Sequence, residues 1–242
     1  MNKHLIIFAT EDYIIAKDSL IKSCASYFDC IHAFSTKDID EEFFNKNHDI
    51  LTQKRGAGYF LWKPYFIDKM LNALEDDDLI FYVDTCNIFI NDPSVLYKYM
   101  DLNNGIILFD NRDGMTNGEA AQNFISCKKD CFVLMDCDEE EFINGPHLNA
   151  SYLIFKNNEL SRSFVAEWLH YCQNKEILTD THNKFGSNYP GYYDHRHDQS
   201  VLSLLAIKYK IKPIVDPSEW GNACGIREYP QIFLHHRRKN YS

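Results

Sequence analysis

The chain has 242 residues, a formal charge of −10, 45% hydrophobic and 14% aromatic residues. That is enough apolar material for one large domain, and it excludes global disorder. The acidic balance excludes a mainly phosphate-clamping nucleic-acid binder, although a nucleotide-sized ligand needs only a local positive spot.

The first strand is read at residues 5–9, LIIFA, a continuous apolar run of the sort covered on both faces. It is too short for a signal-peptide core, and no later stretch reaches ~18 apolar residues, so no transmembrane segment and a cytoplasmic location are expected. A helix is predicted over 12–27 and a short strand over 31–34. Asp38 is expected to cap a helix through Phe44.

Residues 61–74 read as a helix, with Pro64 in its first turn, where a missing N–H costs little. Asp76-Asp77-Asp78 turns the chain into LIFYV at 79–83, a buried strand. Pro93 opens a helix to Met100, and 105–109 is the next strand. The run 110–118, DNRDGMTNG, is a loop. A strand over 148–155 precedes a helix whose Leu160, Phe164, Val165, Trp168, Leu169 and Cys172 share one face. Residues 180–193 form a long loop of the kind that serves a site. A helix over 199–209 and an edge strand over 211–215 follow. Alternating strands and helices imply an α/β, mostly parallel sheet flanked by helices, in a single domain spanning 1–242.

Eight cysteines are present without a CxxC pair, which argues against a structural zinc site and for buried, reduced thiols.

Ligands of open α/β sheets sit beyond the carboxyl ends of the strands, so the polar residues there are the candidates. Thr10 and Glu11 follow the first strand, with Tyr13 close by. Asp84 follows the central one, a lone carboxylate that can share a hard metal with substrate phosphates or simply cap a turn. Asp113 lies in the loop after the next. Asp194-His195-Arg196-His197-Asp198-Gln199 can supply a base or sugar hydrogen bonds, or Asp198 can serve as an N-cap. His235 and His236 can ligate Mn²⁺ and the arginines after them suit a diphosphate, or the basic tail is merely solvated. Within 54–64, KRGAGYFLWKP, the glycines permit close backbone approach, while Lys54, Arg55 and Lys63 supply charge. Tyr59 and Trp62 read as packing residues.

Four of these pieces, RGAGYFLWKPYFI (55–67), LIFYVDTCN (79–87), LNASYLIFKNN (148–158) and HRHDQSVLSLL (195–205), occur in an order that resembles glycosyltransferases of the GT-A type. The likeness is to the nucleotide-diphospho-sugar transferases, the small viral and bacterial ones in particular. It implies a GT-A, Rossmann-like fold, a nucleotide-sugar donor and a glycan or glycoprotein acceptor, with no nucleic-acid partner; the neutral and acidic residues after the first strand, with Tyr13 close by, suit a nucleobase and ribose better than phosphates and favour a UDP-sugar first, a GDP-sugar second. It also implies donor contacts from Thr10, Glu11, Tyr13, Arg55, Lys63, Asp84, Asn149 and Arg237. A divalent cofactor, Mn²⁺ or Mg²⁺, would sit on Asp84 with help from His235 and His236. The sequence departs from the DxD pattern at this point, reading Asp84-Thr85-Cys86, and a thiol is a poor ligand for Mg²⁺. If the reaction inverts the sugar, Asp198, His197 or Asp113 would take the acceptor proton. Two other readings fit fewer residues. A sugar nucleotidyltransferase would want a glycine-rich basic loop after the first strand, where this chain is acidic. A non-catalytic nucleotide-sugar-binding module would explain the incomplete DxD.

Overall fold

A computed structural model describes residues 1–112, 120–223, 228–236 and 238–239. Its strands are β1 (Lys3–Phe8), β2 (Cys30–Phe34), β3 (Leu79–Val83), β4 (Asn87–Phe89), β5 (Ile106–Asp110), β6 (Leu148–Lys156) and β7 (Phe233–His235). Five of them form one sheet in the order β2-β1-β3-β6-β5, while β4 and β7 pair separately. β1 runs parallel to both β2 and β3, with Leu5 opposite Phe81.

The sheet is mostly parallel with one reversed strand. β6 is antiparallel to both of its neighbours, with Phe81 opposite Ile154 and Ile106 opposite Phe155. Its apolar run marks burial but carries no sign of direction.

Alternation along the central strands sorts side chains onto two faces. Ile6, Phe8, Ile80 and Tyr82 join a core built with helices Trp62–Ala73, Glu159–Cys172 and Asp198–Lys208. Leu5, Ile7, Leu79, Phe81 and Val83 pack on the other side with Leu20 and Cys24 of helix Ile14–Cys24 and with Leu96. Covering both faces explains why LIFYV is apolar throughout rather than alternating. Each large side chain buried in this way is worth roughly 1.5–3 kcal/mol before entropy is counted.

Several boundaries differ from the sequence expectations. Asp38 ends a 3₁₀ turn, Thr36–Asp38, in a capping box with Ser35, and the next helix starts at Glu41. The helix expected from residue 12 begins as a 3₁₀ turn, Glu11–Tyr13, before Ile14–Cys24. The segment from Pro93 is a 3₁₀ helix, Pro93–Asn103, capped by Asp92. The expected edge strand over 211–215 contributes only one bridge, Ile214 beside Phe109. Among the described residues no helix is long and apolar enough to cross a membrane.

Candidate active site

The carboxyl ends of β1 and β3 open onto a cavity of about 650 Å³. Thr10, Glu11 and Tyr13 line it from β1, and Asp84, Thr85 and Cys86 from β3. This is the place where the open α/β plan puts a ligand. Phe8 and Trp62, both lining residues, stack at 3.8 Å with 12° between their rings. At the rim, Lys239 reaches from the tail to Asp12 Oδ2 at 2.8 Å and sits 5.3 Å from the Tyr13 ring centre.

One wall of the cavity is a left-handed turn. Gly56, Ala57, Gly58, Tyr59 and Phe60 have φ of 54°, 51°, 99°, 52° and 63°. Each non-glycine residue there costs about 1–2 kcal/mol, because its Cβ crowds the following carbonyl. The glycines are needed for contact as well as for conformation. A Cβ on Gly56 would lie 2.5 Å from the Phe60 ring, and one on Gly58 would lie 2.8 Å from Leu51 Cα. The turn is held by Tyr59 N–H donating to Arg55 O at 2.7 Å and Trp62 Nε1–H donating to Gly56 O at 2.9 Å. Strain of this sort persists only where the surroundings over-determine it, and such places are often functional.

Behind that wall lies a buried charge cluster. Lys63, in the first turn of helix Trp62–Ala73, is 3% exposed. Its ammonium donates to Ala150 O at 2.9 Å and stands 2.9 Å from Asp198 Oδ2 and 3.5 Å from Asp84 Oδ1. The contact with Asp198 is chiefly coulombic, since Oδ2 gains no aligned hydrogen bond. Tyr82 OH donates to Asp84 Oδ1. Asp84 keeps 31% of its side chain exposed, whereas Asp198 is 3% exposed. Burial pushes the Asp198 carboxyl up to about 6 against the pull of Lys63. Lys63 itself stays above the usual lysine range, because the two carboxylates together outweigh the burial that would lower it.

No family model and no curated protein matches the sequence. The structure is similar to the apo form of mouse xyloside xylosyltransferase 1, at 10% identity and a TM-score of 0.53, each chain being covered completely. It is similar also to the apo structure of the WbbM bifunctional glycosyltransferase, again at 10% identity and a TM-score of 0.53, covering 96% of this chain and 45% of that one. The fold is the GT-A glycosyltransferase fold. At such identities the likeness concerns the fold alone.

Placed on the GT-A frame, the expected residues divide. Thr10, Glu11, Tyr13 and Asp84 converge on the cavity. Lys63 does not line it, and stands behind it between Asp84 and Asp198. Asp198 is the first residue of its helix rather than the cap; the cap position is His197, which makes no side-chain capping bond. Its burial sets Asp198 against Lys63. His197, the second expected base, has both ring nitrogens engaged. Its Nδ1–H donates to Leu178 O at 2.9 Å and its Nε2 accepts from Arg55 Nε at 2.6 Å, so no lone pair remains for a proton. Burial lowers this imidazole to about 4. Arg55 accordingly serves His197 and Asp180 (3.5 Å) rather than the cavity.

Asn149 is likewise spent inside the protein. Its amide donates to Tyr152 OH at 3.0 Å and Asp216 Oδ2 at 2.9 Å, and its oxygen accepts from Ser151 N–H at 2.8 Å. Asp216, absent from the sequence candidates, also accepts from Tyr152 OH at 2.6 Å and so ties the segment after residue 211 to β6. Asp113 and Arg237 lie outside the described residues.

The histidines expected as metal ligands lie close by in the chain path, because β7 pairs with β4 and His236 N–H donates to Cys86 O at 3.0 Å. They do not join Asp84 in a metal cage. His235 Nδ1 is 3.7 Å from Glu219 and its ring packs 5.6 Å from Tyr152, while His236 Nδ1 accepts from Arg238 N–H at 3.1 Å. Among the described residues no three His, Cys, Asp or Glu side chains converge as a metal site. What fits is a minimal arrangement, with Asp84 as one carboxylate ligand and diphosphate and water oxygens as the others, a mode that Mg²⁺ commonly uses.

Sequence reasoning missed Tyr82, Phe60 and Lys239. Tyr82 was hidden as an apolar strand residue. The signal available for Phe60 and Lys239 was their place in segments already singled out.

Proposed function

We propose that this chain is a glycosyltransferase that moves a sugar from a nucleotide-sugar donor to a hydroxyl of a glycan or glycoprotein. One observation carries the reading: the cavity at the carboxyl ends of β1 and β3 has Asp84 in its wall, backed by the buried Lys63–Asp198 pair. A UDP-sugar is the proposed donor. Thr10, Glu11 and Tyr13 suit a nucleobase and ribose better than phosphates, and Lys54 and Lys239 supply positive charge for the diphosphate. A divalent ion, when bound at Asp84, would offset charge on the departing diphosphate.

In the transfer, the acceptor oxygen bonds to the anomeric carbon while the bond from that carbon to the diphosphate oxygen breaks, and the acceptor hydroxyl gives up its proton. Negative charge grows on the diphosphate, so preorganised cations matter most there. Lys63 holds Asp84 in place from behind, and Tyr82 holds the same oxygen, so Asp84 meets the donor in a fixed orientation. The left-handed turn forms one wall of the donor cavity, and its glycines are required there by the Phe60 ring and by Leu51. A cytoplasmic place of action belongs to this proposal. Its support is the five buried cysteines among the described residues, including Cys24 and Cys137 with thiols pushed up to about 12 by burial, which suit a reducing compartment.

The second reading, a nucleotide-sugar-binding module without turnover, is motivated by Cys86 standing where a second carboxylate would complete the DxD. A panel of nucleoside diphosphates and nucleotide sugars, tested with and without Mn²⁺ by thermal shift and then for donor hydrolysis, separates the two. A ligand at ~100 times its dissociation constant adds about 2.7 kcal/mol of stability. No response to any nucleoside diphosphate sinks both readings, and binding without hydrolysis or transfer favours the module.

A further inference from the structure

The left-handed turn has two sides. Gly56, Ala57 and Phe60 line the donor cavity, whereas Tyr59 lines a second concavity of about 520 Å³. Its other walls include Asp49, Thr52, Gln53, Thr179, Asp180 and Lys175. The shared wall is the strained part of the chain. Ala57, Tyr59 and Phe60 together hold left-handed conformations that cost about 3–6 kcal/mol. His197, which packs edge-on against the Tyr59 ring at 4.8 Å, is itself left-handed at φ 55°. What this costly geometry produces is two adjacent concavities separated by one turn of backbone.

The second concavity mixes polar and apolar surface. Hydroxyls, a primary amide and carboxylates offer both donors and acceptors, beside the Tyr59 ring and the His48 imidazole. Each carboxylate has a cation at hand: Lys175 stands 3.8 Å from Asp49 and Arg55 stands 3.5 Å from Asp180. These pairings leave no net charge to select an anionic or cationic ligand. A ring-shaped polyol with a weakly apolar face and many hydroxyls matches such a surface, and the volume lies within the range usual for small-ligand sites.

We propose that this groove is the acceptor subsite, and that it takes a neutral oligosaccharide, with Tyr59 as the stacking platform and Asp49, Gln53 and Asp180 as hydroxyl partners. The assignment rests on the glycosyltransferase reading for its meaning, but binding in the groove does not require nucleotide.

Saturation-transfer NMR on the full chain, without nucleotide, tests it. The probes are neutral trisaccharides of glucose, galactose and xylose, a sialylated trisaccharide, and a serine- and threonine-rich peptide. Thr52→Trp fills the groove from an exposed position, and Tyr59→Ala removes the platform. The expected result is contact with neutral trisaccharides in the parent and a loss of about tenfold or more in affinity in both variants, with UDP affinity of Thr52→Trp unchanged within about twofold. Undiminished contact in Thr52→Trp overturns the proposal. So does preference for the sialylated sugar or the peptide, or no contact with any neutral trisaccharide at millimolar concentration. If the parent ignores every nucleoside diphosphate yet loses trisaccharide contact on Thr52→Trp, the donor reading falls while the groove stands.

Discussion

The Lys63 ammonium and the Asp198 carboxylate meet at 2.9 Å inside the protein, each at the start of its own helix. Neither side chain is more than 4% exposed, so the pair exchanges almost nothing with water. Removing one partner of such a pair leaves a buried charge uncompensated, which typically costs 3–5 kcal/mol. Lys63→Met is expected to lose about 3 kcal/mol in urea unfolding and to weaken nucleoside-diphosphate binding, because Asp84 then loses its backing. Lys63→Arg, which keeps the charge, is expected to lose less on both measures. Equal stability of Lys63→Met and the parent would show that the pair contributes nothing.

Asp198 makes stability depend on pH in a defined direction. Its folded carboxyl titrates at about 6, above the 3.8 of an ordinary aspartate, because burial outweighs Lys63. The folded state thus holds the proton more tightly than the unfolded chain. The resulting stabilisation is full below about pH 4 and is lost as pH rises through about 6. Asp198→Asn has no proton to lose, so its unfolding free energy should stay flatter across that window, with a difference on the order of 1 kcal/mol or more. Denaturant titrations of both proteins at several pH values check this. At neutral pH the same variant should lose most transfer, since Lys63 is then drawn wholly to Asp84.

Metal assistance can be separated from folding. Asp84→Asn removes the one exposed carboxylate of the cluster, and an amide has no formal charge to share with a cation. Mn²⁺ is expected to tighten UDP binding in the parent and to do so far less in Asp84→Asn. His235→Ala should retain the enhancement, because that ring is engaged by Glu219 and Tyr152. A calorimetric UDP titration with and without Mn²⁺ gives the answer, and equal enhancement in the parent and Asp84→Asn removes the metal from Asp84.

Left-handed positions can be probed by paired glycine changes. Gly58→Ala combines φ +99° with a Cβ 2.8 Å from Leu51 Cα, so it should cost more than about 2 kcal/mol. Gly186→Ala, at φ +111° with nothing within 4 Å of its Cβ, should cost only about 1 kcal/mol. Ala57→Gly removes a steric penalty, and should be neutral or stabilising by up to about 1 kcal/mol. Thermal unfolding of the three ranks them. A Gly58→Ala no worse than Gly186→Ala would refute the close approach to Leu51.

How legible all this was from the sequence depends on the kind of signal involved. LIFYV at β3 reads correctly to the residue, since five apolar residues between an acidic turn and an aspartate have few other uses. The β4 and β7 strands, three residues each, are too short for any periodicity to register. Lys63, Asp84 and Asp198 each stood out locally, but their meeting is a product of packing between distant segments. Asn149 shows the converse. It sits in a motif-like run, yet Asp216 and Tyr152 consume its hydrogen bonds. The left-handed turn was half visible: two glycines announced a close approach, while Ala57, Tyr59 and Phe60 have no residue-level preference for that conformation.

The pairing of β7 with β4 and the reach of Lys239 to Asp12 have a consequence for biosynthesis. β7 and Lys239 leave the ribosome after every strand of the large sheet, yet Lys239 forms part of the cavity rim. Contacts so far apart in sequence form late, because the loop entropy must be met before they stabilise anything. The strands of the large sheet can therefore pair before Lys239 reaches the rim of the cavity. A chain cut before residue 233 would keep the strands of the large sheet but lack Phe233 in its core and Lys239 at the cavity rim, so its loss of ligand affinity would come with a loss of packing.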